Sequence, residues 1–79
     1  MRMVIAAAAV VIGGAAWADD RADCGAGIDM IKEEIARKPA QATLTKLQAA
    51  LRVAEREQRE QEFDECVDAV KDARKALGR

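Results

Sequence analysis

Glu55-Arg56-Glu57-Gln58-Arg59-Glu60-Gln61-Glu62 runs for eight residues without one apolar side chain. It separates two helical patterns that are out of phase. Upstream, Leu44, Leu47, Leu51 and Ala54 step by three, four and three; downstream, Phe63, Cys66, Val70, Ala73 and Leu77 step by three, four, three and four. Each set paints one face of a helix. Continuing the first spacing would put core positions at Gln58 and Gln61, yet the second stripe begins at Phe63. Two readings follow. Either the chain turns back near Glu60 to Glu62, or one long helix runs from Thr43 to Leu77.

A further stripe lies before Pro39: Cys24, Ile28, Ile31 and Ile35 step by four, three and four. Gly25 and Gly27 weaken its start, because glycine is a poor helix former. This helix is therefore expected from about residue 26 to residue 38. Glu33 with Arg37 and Glu34 with Lys38 are i,i+4 pairs in the favoured order on its solvated side. Pro39 ends it, since a residue before proline is pushed out of the α region, and the same proline can open the next helix. Thr45 and Gln48 would form a capping box if that helix started late. Gly78 stops the last stripe. The expected architecture is all-α: a small up-down-up bundle of three helices, at about 26–38, 40–59 and 62–77.

Cysteine spacing bears on the choice. In an up-down-up bundle the first and third helices run parallel, and Cys24 and Cys66 come level on the same core. In the long hairpin, Cys24 would lie opposite Ala54, and Cys66 would be about 18 Å further along at 1.5 Å per residue. A disulfide needs Cα atoms within about 7 Å. A bridge within one chain therefore requires three helices, whereas a bridge between chains goes with the long helix.

Residues 1–18 read differently from the rest. Arg2 gives a positive start, Met3 to Ile12 are continuously apolar, and Gly13-Gly14 break the run. Ala16-Trp17-Ala18 puts small residues where a signal peptidase reads them, and Asp19-Asp20 follow. This is the order of a cleavable secretory signal, and the run is shorter than the roughly 20 residues of a membrane span. The chain is expected to divide into a signal at 1–18 and a domain at 19–79, cut between Ala18 and Asp19, with the product in the periplasm or outside the cell. Such compartments permit the Cys24–Cys66 disulfide.

Once Arg2 leaves with the signal, fourteen acids face twelve bases. No basic patch points to nucleic acid and none to a lipid surface. The chain has no His, Ser, Tyr or Asn, and its one Trp lies in the signal. Ser-His-Asp and Cys-His nucleophiles cannot be built from it, nor can a His-containing zinc site. The cysteines are far apart in sequence, unlike the C-x-x-C of a dithiol oxidoreductase. No enzyme activity, metal or cofactor is expected. Asp64, Asp68 and Asp72 share one helix face beside Glu65; they read as a solvated stripe partly paired with Lys71 and Lys75, and otherwise as a weak cation site or a dock for a basic partner, although a calcium loop takes its ligands from irregular backbone rather than a regular helix. Met30 and Val53 lie off the stripes and either widen the core or form a small exposed patch.

Residues 50–78 resemble one tetratricopeptide-type helical hairpin. The family's large-and-small pair, turn aromatic and later small residues correspond to Val53, Ala54, Phe63, Cys66 and Ala73, and Glu62-Phe63-Asp64-Glu65 is similar to its turn. Ala50, Gln61 and Gly78 stand where Trp, Gly and Pro are usual. The resemblance implies a turn near Gln61. The outline of a small, exported, helical chain with two cysteines is also similar to periplasmic acid-stress chaperones of the HdeA kind. The expected function is a non-enzymatic protein-binding or structural module of the bacterial envelope, a monomer or small homo-oligomer. The alternatives are an acid-stress chaperone, and a coiled-coil scaffold bridged between chains.

Overall fold

The computed structural model describes the backbone of residues 3–79 and the side chains of residues 19–79. The expected signal segment, with Ala16 and Ala18 of its processing site, lies outside the described side chains; Asp19 is exposed. Three helices follow one another: α1 (Met3–Ala36), α2 (Gln41–Arg59) and α3 (Phe63–Ala76). Each packs on both others in up-down-up order. The charged block completes α2 as far as Arg59 and then turns over Glu60 to Glu62, so the long-helix alternative is excluded.

How that turn forms without Gly or Pro is plain from its backbone. Gln61 takes a left-handed φ of 60°. Glu62 N–H then donates to the Glu57 carbonyl at 2.9 Å and Gln61 N–H to that of Gln58 at 3.1 Å. These are the two bonds of a Schellman C-cap, which satisfy carbonyls that the helix end leaves open. The last helix ends alike: Gly78 has φ 80°, and Arg79 N–H reaches the Arg74 carbonyl at 2.9 Å. At the end of α1, Lys38 has φ 56° and donates to Ile35 O at 3.0 Å. The outer bond of that cap would fall to residue 39, a proline with no N–H. All three helices thus end on a left-handed residue, and only one of these is glycine.

Several local expectations need correction. The first helix does not wait for residue 26 but is continuous through Gly25 and Gly27. Packing outweighs propensity here: a Cβ built at Gly27 would sit 2.9 Å from Val70 Cβ, so the bare glycine lets α1 approach α3. Pro39 does not open α2, because Ala40 is the N-cap and Gln41 the first helical residue. Thr45 is therefore inside the helix and forms no capping box; its hydroxyl donates back to Gln41 O at 3.0 Å. Neither expected i,i+4 ion pair of α1 forms. Glu34 instead accepts from Arg37, three residues on, at 3.4 Å and from Arg79 at 3.1 Å, which ties the chain end to α1.

The core is small. Cys24, Ile28 and Ile31 of α1 meet Leu47, Ala50 and Ala54 of α2 and Cys66, Ala69, Val70 and Ala73 of α3. Ile35, Leu51, Phe63 and Leu77 pack around its edge, half-buried. Among the described residues no polar or charged side chain is buried. Cys24 and Cys66 are joined by a disulfide with Cα atoms 5.5 Å apart, both fully buried. That leaves neither thiol for a bridge between chains.

Two substitutions test these contacts. Gly27→Ala should destabilise the fold by about 1–3 kcal/mol, as overpacking does. Gln61→Gly should stabilise it by about 0.5–1 kcal/mol, because glycine removes the left-handed penalty. Chemical denaturation of both variants checks the pair; equal stability of the Gly27→Ala protein would contradict the close α1–α3 approach.

Candidate functional site

Helices α2 and α3 are amphipathic, and their short turn makes them antiparallel. One flank of this hairpin meets α1. Another flank is an open groove of about 550 Å³ to which, among the described residues, α1 contributes none. Its floor is apolar and shallow: Ala49, Ala50 and Val53 from α2, Ala69 and Ala76 from α3. Small side chains let two helices lie close, which is why the floor holds nothing larger than a valine. Val53 is the exposed large hydrophobic of the described residues, at 36 %.

The walls carry charge. Glu57 stands on α2, with Glu65, Asp68 and Asp72 on α3, while Lys46 and Lys75 sit together at the far end. Glu65 is exposed, and its carboxyl is raised above the ordinary glutamate range. The neighbouring charge of Glu57 is the main cause, followed by slight desolvation and by Glu62, Asp64 and Asp68. Arg56 bonds Glu57 at 3.3 Å. Among the described residues no ion pair reaches Glu65, Asp68 or Asp72, and Lys71 and Lys75 do not close on the acids three positions away.

The residues singled out in the sequence separate as follows. Cys24 and Cys66 come together in the core, not at the groove. Of the three stripe aspartates, Asp68 and Asp72 line the groove and Asp64 does not. Met30 packs against the core, half-buried, whereas Val53 is exposed in the groove. Sequence reading missed Lys46, Ala49, Ala69 and Ala76. The signal was there: Lys46, Ala49, Ala50, Val53 and Glu57 follow helical spacing beside the main leucine stripe, but alanines in a helix read as propensity before they read as a surface.

Elsewhere the surface is held by weak ties. Lys32 approaches Glu55 at 3.6 Å, joining α1 to α2, and such exposed pairs contribute about 0–1 kcal/mol. Arg21 lies over the Phe63 ring, 5.5 Å from its centroid. Among the described residues no group of His, Cys, Asp or Glu is arranged to hold a metal ion, and no helix is long and apolar enough to cross a membrane. No family model, curated protein or solved structure matches the chain.

The carboxylate cluster has a pH signature. A raised folded-state pKa means that the fold prefers Glu65 protonated, so its charge opposes folding at neutral pH and the opposition fades as pH falls through the carboxylate range. Glu65→Gln should raise the melting temperature at pH 7, and the gain should vanish under acid conditions. A gain of equal size at both pH values would show that repulsion is not its source.

Proposed function

We propose that the chain is an exported, non-enzymatic protein-binding module of the bacterial envelope, working from the α2–α3 groove after removal of residues 1–18. The observation that carries this reading is the groove itself. An apolar strip with charged walls, on two helices fixed to a third by a disulfide, is the form of a pre-organised recognition surface. Its side chains are Ala, Val, Lys, Asp and Glu, a set suited to contact more than to bond-making.

Compartment and surface agree. The buried disulfide is at home in an oxidising space, which is where a signal of this pattern delivers a protein.

The test has two readings from one preparation. Intact mass of the exported protein should correspond to a chain beginning at Asp19; retention of residues 1–18 would remove the export reading. A photo-crosslinking residue carried at position 53 should then give a discrete covalent adduct in the living cell. The same residue at position 48 or 74, on exposed surface outside the groove, should not. Equal labelling from all three positions, or none from 53, would contradict the groove as the binding face.

A further inference from the structure

The occupant of the groove can be described from its shape and charge, on the reading that the groove binds protein. Lys46 and Glu57 mark its ends on α2 and are eleven residues apart, so it is about 16 Å long at 1.5 Å per residue, or three helical turns. The floor is straight, narrow and made of small side chains. A hairpin of two helices with one neighbour already in place on another flank accepts a further helix as the completion of a four-helix bundle.

Charge then selects the helix. Glu65, Asp68 and Asp72 step by three and four, so they form one stripe along the α3 wall, and none of them is paired among the described residues. A helix lying in the groove would meet that stripe with residues of the same spacing. At the far end, Lys46 and Lys75 ask for an acid or a neutral residue. We infer that the groove receives an amphipathic helix of another protein, with a ridge of small or medium apolar residues and Lys or Arg flanking it at i, i+3 and i+7.

A second copy of the chain meets these demands less well. A two-fold axis that sets Lys46 of one copy opposite Glu57 of the other, and Lys75 opposite Glu65, also sets Asp68 against Asp72, and like charges held face to face at the centre oppose association. The alternative axis brings the lysines together. The groove also carries four acids against two lysines, so two copies would double an uncompensated negative charge.

Fluorescence anisotropy with a synthetic helix of about 15 residues, four turns long, tests the proposal. One peptide carries an alanine-leucine ridge with lysines at i, i+3 and i+7. A second has the same composition with the lysines moved to the opposite face, and a third has glutamates in their place. The first should bind the oxidised protein at least about tenfold more tightly than the other two. The double variant Asp68→Lys, Asp72→Lys should weaken it about tenfold or more, and Val53→Glu should abolish it. Melting curves of both variants confirm that these surface changes leave the fold in place. Equal binding of the first two peptides, or indifference to charge reversal at positions 68 and 72, overturns the inference. An adduct from position 53 without peptide binding also overturns it, while leaving the groove as a binding face. A dimer seen by sedimentation equilibrium and dissolved by Val53→Glu assigns the groove to a second copy instead.

Discussion

The covalent tie between Cys24 and Cys66 is the constraint on which the rest of this structure depends, because the core beside it is so slight. Of the ten buried apolar side chains among the described residues, four are alanine and two are the cysteines themselves, so few methyl and methylene groups leave water. The bridge closes a loop of 42 residues, and a loop of that size stabilises a fold by about 4 kcal/mol through restriction of the unfolded chain. Net stabilities of whole domains are about 5–15 kcal/mol, with small ones at the low end. The link also sets register. It holds the start of α3 level with the middle of α1, where Gly27 gives way to Val70, and it forces the chain to reverse twice between them.

The helix ends adapt to that demand. Lys38 and Gln61 accept a left-handed backbone that glycine would take more readily, and the C-cap bonds at Gln61 offset part of the penalty. Strain of this kind persists where the surrounding packing determines the path of the chain. Here the packing is α2 against α3 on one side of the turn and the disulfide on the other.

Much of this was legible in the sequence. The phase slip between Ala54 and Phe63 located the turn, and the level placement of the two cysteines tied the disulfide to a three-helix path, because both depend on residue spacing along regular helices. What was not legible depended on contacts between helices. Gly27 read as a weak helix start, since propensity is local and the approach of Val70 is not. Glu33, Glu34, Arg37 and Lys38 offered ideal spacing for two pairs, yet Arg79, distant in sequence, took one of the carboxylates. The groove was half visible: Val53 stood out as an apolar residue off the stripe and Asp68 and Asp72 as a charged one. Only the pairing of α2 with α3 brings them to the same surface, and only the position of α1 leaves that surface open.

One intramolecular disulfide supports a core too small to hold three helices firmly alone. Equilibrium unfolding in urea, followed by circular dichroism on the oxidised and on the fully reduced protein, measures it most directly. The expected result is a monomer whose unfolding free energy falls by about 4 kcal/mol on reduction, leaving a fold that is marginal or lost at room temperature. Superimposable unfolding curves for the two forms, or free thiols in the exported protein, would contradict it.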